Sequence, residues 1–87
     1  MQLTAELSLY PLRQDYIPVI QAFIGRMREY EDIQIVTNAM STQICGDYER
    51  VFTLVQAELA QSYREYGKQV LVCKFIVGDL EITKWKT

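Results

Sequence analysis

Ile33-Gln34-Ile35-Val36-Thr37-Asn38-Ala39-Met40-Ser41-Thr42-Gln43-Ile44-Cys45-Gly46-Asp47 is the stretch whose reading decides the fold. Its first part, 33–38, is a short β-branched run that reads as a strand, and 41–45 reads as another. Asn38-Ala39-Met40 between them is a turn, since Asn bonds readily to its own following backbone. Gly46-Asp47 breaks the pattern, and Asp47 is placed to cap a helix. Two adjacent strands with a tight turn pair antiparallel, so the centre of the chain is a hairpin.

Outward from that hairpin the periodicity changes on both sides. Downstream, Val51, Leu54, Val55 and Leu59 recur at helical spacing, continued by Tyr63 and Tyr66, and Gly67 stands where a positive φ would end the helix. Residues 69–77 then read as a strand closed by Gly78-Asp79. Upstream, Ile17, Ile20, Ile24 and Met27, flanked by Val19 and Phe23, predict a helix over about 16–30. Asp15 is its expected cap, Pro18 falls in its first turn, and Arg26, Arg28 and Glu29 belong to its wet side. Leu3, Ala5, Leu7 and Leu9 alternate with Thr4, Glu6, Ser8 and Tyr10, which makes residues 2–10 a half-buried strand ended by Pro11.

The order β-α-β-β-α-β predicts an α+β, ferredoxin-like sandwich: a four-stranded antiparallel sheet with two helices on one face. The first strand lies inside, between the third and fourth. The domain is expected over 5–79, with 80–87 a short tail anchored by Trp85. Strand 1 should send Leu3, Ala5, Leu7 and Leu9 under the helices, and strand 4 Leu71, Cys73, Phe75 and Val77. The open face then carries Thr4, Glu6, Ser8 and Tyr10 beside Val70, Val72, Lys74 and Ile76. Those apolar residues are too many for a face left in water, so a ligand, a second subunit or both should cover part of it.

Composition removes several functions. Nine Lys plus Arg against eleven Asp plus Glu give a formal charge of −2, a poor match for nucleic acid. The absence of histidine removes His-based triads and the commonest transition-metal ligand. Cys45 and Cys73 lack Cys-x-x-Cys spacing and read as free structural thiols. No metal or cofactor is expected. The longest apolar run, Val70-Leu71-Val72-Cys73, is far too short to insert in a membrane, and Met1 to Glu6 has no secretory pattern, so the chain is expected in the cytoplasm. With 87 residues a chain buries a modest fraction of its surface, which favours a homodimer or larger homo-oligomer.

The run Leu7-Ser8-Leu9-Tyr10-Pro11-Leu12 with Asp15-Tyr16-Ile17-Pro18-Val19-Ile20 resembles the first strand and helix start of the YkoF-like proteins. Ser41-Thr42-Gln43-Ile44 followed by Gly46-Asp47-Tyr48-Glu49-Arg50-Val51-Phe52 is similar to their third strand and second helix. Lys74-Phe75-Ile76-Val77-Gly78-Asp79 resembles their last strand. The resemblance implies a non-catalytic domain that binds thiamine or its hydroxymethylpyrimidine moiety in transport or salvage. It also implies self-association in place of the tandem repeat of YkoF. Gln43 and Cys45 depart from the family's expected residues, which bears on the ligand more than on the fold.

Such a ligand wants a stacking wall and an edge of donors and acceptors for its aminopyrimidine, and an aromatic face or carboxylate for its thiazolium cation. The candidates are Tyr10 as wall, Ser8 at the pyrimidine edge, Glu6 as anion, and Thr37, Asn38, Ser41, Thr42 and Gln43 around the turn. Each has a plainer role open to it: Tyr10 in a dimer interface, Ser8 in solvent, Glu6 paired with Lys74, Asn38 in the turn itself. Met40 shares parity with Ile44 and is expected in the core; Tyr63 and Tyr66 are read as packing. Asp47 fills the start of its own helix with a carboxylate, so free thiamine suits the chain better than its diphosphate. No paired carboxylates suggest an enzyme. A regulatory or assembly module that dimerises through its open sheet is the other reading.

Overall fold

The computed structural model describes residues 1–85. The elements follow the expected order: β1 (Gln2–Pro11), α1 (Ile17–Met27), β2 (Gln34–Thr37), β3 (Thr42–Asp47), α2 (Tyr48–Tyr66) and β4 (Gln69–Val77). The sheet order is β2-β3-β1-β4, every neighbouring pair antiparallel. This is the ferredoxin-like βαββαβ sandwich. β1 begins at Gln2, and Leu3 behind it is part of the core.

Strand pleating decides what is buried. Leu3, Ala5, Leu7 and Leu9 of β1 join Ile44 of β3 beneath the helices. α1 answers with Val19, Phe23 and Met27, four residues apart, and α2 with Val51, Leu54 and Val55. The stripe on α1 is thus rotated from the expected one. Ile17 is exposed, and Ile20 and Ile24 are half-buried, because Val19, Phe23 and Met27 meet the sheet centre. The α2 stripe likewise continues through Glu58 and Ser62, with Leu59 half-buried and Tyr63 exposed.

Glu58 is buried because its charge is matched. Its carboxylate accepts from Arg26 Nε at 2.6 Å and from the Tyr30 hydroxyl at 2.7 Å. Arg26 therefore belongs to the α1–α2 seam and not to the wet side. Beside it, Ser62 donates to Gln69 Oε1 at 2.8 Å, tying α2 to the start of β4.

Helix ends differ in how they are made. Asp47 caps α2 as expected, its carboxylate accepting from Arg50 N–H at 3.3 Å. Asp15 does not cap α1: the cap position falls one residue later, at Tyr16, with no side-chain cap, and Pro18 lies in the first turn. α1 also stops at Met27, short of 30. Gly67 closes α2 with φ 87°, and its ψ of −155° lies outside the left-handed helical well. Gly46 is required by contact: a Cβ there would sit 2.9 Å from Ile33 Cγ2.

The tail turns back across the open face at one end of the sheet. Thr4 Oγ1 donates to Gly78 O at 2.8 Å and accepts from Leu80 N–H at 3.2 Å. Ile82 is the buried one among the described tail residues, while Trp85 is 78% exposed, its indole N–H donating to Leu80 O. The anchor is therefore Ile82 and not Trp85. This closure makes Thr4 and Cys45 buried although their parity places them on the open face. The rest of that face on β4 stays open, with Val70, Val72 and Ile76 about half exposed. Phe75 does face the helices, its ring 4.6 Å from that of Phe52, but at the margin of the core.

Candidate functional site

The larger of two hollows is not on the open face. It lies on the helix side, between the first half of α1, the end of β1 and the β2–β3 turn, and has a volume of about 460 Å³. Its position follows from unequal strand lengths. β1 pairs with β4 out to Pro11↔Gln69 but with β3 only to Leu7↔Thr42. Beyond Leu7 no strand fills the space on the β3 side of β1, and α1 spans the gap from above.

The apolar walls are Leu7, Leu9, Ile20, Phe23 and Ile24, and the polar rim is Thr37, Asn38, Ser41 and Thr42. Thr37 and Thr42 are cross-strand partners with hydroxyl oxygens 3.1 Å apart. Tyr10 and Tyr16 border the mouth, both rings more than half exposed or nearly so. No lining residue carries a carboxylate, ammonium, guanidinium or thiol. A ligand group bearing negative charge would lose its water there without gaining a counter-charge.

The turn is shaped by Asn38. Its Oδ1 accepts from Met40 N–H at 2.8 Å and from Ser41 N–H at 3.0 Å, and its own N–H donates to Ser41 O. The acceptor half of Asn38 is thus spent on the turn. Met40 projects from it 85% exposed and is not a core residue, because the turn swings out of register before β3 begins at Thr42.

Six of the eight candidates, Ser8, Tyr10, Thr37, Asn38, Ser41 and Thr42, come together around this hollow. Ser8 and Tyr10 do so from β1 positions opposite Val72 and Val70, so they border it from the sheet's other side. Glu6 and Gln43 stand apart. They are direct neighbours on the open face, in register with Lys74, and line a second hollow of about 280 Å³ closed at one end by Leu80 and Ile82. There Glu6 Oε1 lies 3.6 Å from Lys74 Nζ, and its Oε2 accepts from Ser41 Oγ at 2.9 Å. Tyr16, Ile20, Phe23 and Ile24 were not among the sequence candidates. The signal for them was the short β3, which leaves α1 facing a gap.

Away from the hollow, the cysteines are free and both thiols titrate above their ordinary value, chiefly because burial disfavours the thiolate. Among the described residues no cluster of His, Cys, Asp or Glu could hold a metal ion, and no helix is long and apolar enough to cross a membrane.

The YkoF-related family matches residues 2–78. The chain belongs to that family. Among solved structures, a Thermotoga maritima protein assigned provisionally to thiamine biosynthesis or salvage superposes with a TM-score of 0.85 at 14% identity, covering 97% of this chain and 96% of that one. Protein SP2199 of Streptococcus pneumoniae gives 0.83 at 22% identity, covering 93% and 91%. A Bacillus cereus domain of unknown function gives 0.79 at 17%, covering 98% and 88%. At these identities the likeness concerns the fold. Comparison with curated proteins returns no match.

Proposed function

We propose that this YkoF-related chain binds thiamine, or its hydroxymethylpyrimidine moiety, without altering it, in thiamine transport or salvage. The observation that carries the reading is the hollow under α1: about 460 Å³, apolar on one side, lined by hydroxyls and amides on the other, and free of charged side chains. That size and mixture suit a small flat ligand. The aminopyrimidine would lie between Phe23 and the turn hydroxyls, and the thiazolium at the mouth, where Tyr10 and Tyr16 offer ring faces to a cation.

A binding role, rather than catalysis, is supported by what the lining offers: hydroxyls, an amide and two phenols, with no histidine anywhere in the chain to move a proton near neutral pH. The reading also includes a second copy of the chain over the open face, where Val70, Val72 and Ile76 are exposed, and a cytoplasmic setting in keeping with two free thiols. The same exposed face supports the second reading, an assembly module that only dimerises.

Calorimetric titration with thiamine, hydroxymethylpyrimidine and thiamine diphosphate tests the proposal, with mass analysis of the recovered ligand. Thiamine or the free pyrimidine should bind once per chain and return unchanged, and the diphosphate should bind at least tenfold more weakly. No heat from any of them, or a cleaved ligand, would refute it.

A further inference from the structure

β1 runs out of a partner on one side four residues before it ends. In an antiparallel ladder the N–H and C=O of one residue point to the same side, and successive residues point to opposite sides. Two bonds set the alternation here. Leu12 N–H donates to Lys68 O at 3.1 Å and Gly78 N–H to Gln2 O at 2.8 Å, so even-numbered residues of β1 address β4. Odd-numbered residues address β3, where Leu3, Ala5 and Leu7 stand opposite Gly46, Ile44 and Thr42. Leu9 is next in that series. Among the described residues nothing of β3 stands opposite it, Leu9 lines the hollow under α1, and by the same alternation its N–H and C=O point to the side that β3 leaves empty. Pro11, the following odd position, has no N–H to offer. A strand donor and acceptor left without partners inside a hollow are a recognition element in waiting.

We propose that the Leu9 backbone N–H and C=O read the edge of the ligand's aminopyrimidine, pairing with its ring-nitrogen acceptor and the exocyclic amino donor beside it. This rests on the binding role proposed above and specifies how the pyrimidine is chosen. The Leu9 N–H donates to the ring nitrogen, and the ligand's amino group donates to Leu9 C=O. Two short bonds between paired donors and acceptors discriminate by pattern, as a missing group leaves a buried one unsatisfied. An added peptide strand could use the same edge. The hollow's size is that of a small molecule, and Tyr16 and the Asn38–Ser41 turn bound it on either side. Because the reader is backbone, no single side-chain substitution abolishes it. That explains why no candidate in the sequence marked it.

The test is amide-resolved NMR on the intact chain, with hydrogen exchange, using four probes: 4-amino-5-hydroxymethyl-2-methylpyrimidine, its N,N-dimethylamino analogue, thiamine and adenine. In the free protein the Leu9 amide should exchange at least tenfold faster than those of Leu7 and Tyr10. The aminopyrimidine should slow it at least tenfold and move its resonance, and the dimethylamino analogue should do neither. Leu9 protection equal to Leu7 in the free protein, an equal response to both analogues, or silence at Leu9 across all four probes would overturn the proposal. Adenine acting at Leu9 while thiamine and the pyrimidine do not bind would uphold the edge and refute the thiamine reading. Thiamine binding that leaves Leu9 untouched would do the reverse.

Discussion

The Ser41 hydroxyl donates to Glu6 Oε2 at 2.9 Å, across the sheet from the hollow that Ser41 borders. Glu6 therefore acts on the candidate site from behind. It ties the β2–β3 turn to β1, and that turn is one wall of the hollow. Its other oxygen is near Lys74, a pair that is too exposed to stabilise the fold much.

Ser41→Ala should consequently separate binding from stability. Glu6 is 38% exposed, so losing the bond should cost about 0.5 kcal/mol, the low end for such bonds. Thiamine affinity should fall three- to tenfold as the turn loosens. Urea unfolding and calorimetric titration of the same variant check both numbers.

The Arg26–Glu58–Tyr30 seam should show the asymmetry of buried pairs. Glu58→Ala leaves Arg26, whose side chain is 20% exposed, without its main partner and should cost about 2–3 kcal/mol. Replacing both, Arg26→Met with Glu58→Leu, should restore most of that loss. Urea midpoints of the single and double variants decide the matter.

Alkaline pH should weaken the same seam. The hydrogen bond to Glu58, then burial, raise the Tyr30 hydroxyl above its ordinary value of 10.0. Because the folded value lies above the unfolded one, its contribution is intact below about pH 10 and is lost as pH rises through the folded value. Tyr30→Phe should remove that part of the decline. A shallower fall from about pH 9, due to the raised Cys45 and Cys73 thiols, should persist in both proteins. Thermal melts from pH 8 to 11 test this.

The tail should govern access to Cys45. Thr4→Val deletes the hydroxyl that holds Gly78 and Leu80. Cys45, 2% exposed under the tail and 3.5 Å from Asp79, should then react with a thiol reagent several-fold faster, with Cys73 unchanged as the internal standard. Equal acceleration of both thiols would instead report general loosening.

The fold was legible because alternation and helical spacing are strong over long segments. The central hairpin, Asp47 as cap and the parity of β1 all follow from local pattern. What was not legible depended on where elements end. Helical spacing in 17–27 is nearly as good for Ile17-Ile20-Ile24 as for Val19-Phe23-Met27, and only docking on the sheet decides between them. Trp85 looked like the anchor by size, while geometry gave that place to Ile82. The open face is apolar, yet the larger hollow arises on the other side, where β3 is shorter than β1. The turn residues Thr37, Asn38, Ser41 and Thr42 are candidates by their hydrogen-bonding groups and do surround it. Its apolar wall has the same spacing as core residues, so periodicity does not distinguish the two.

Crystals soaked with hydroxymethylpyrimidine test the central claim most directly. The account predicts density for the ring under α1, between Phe23 and Ser41 and beside the Leu9 backbone. Density confined to the open face, against Val72 and Lys74, or none in the hollow at saturating ligand, would contradict it.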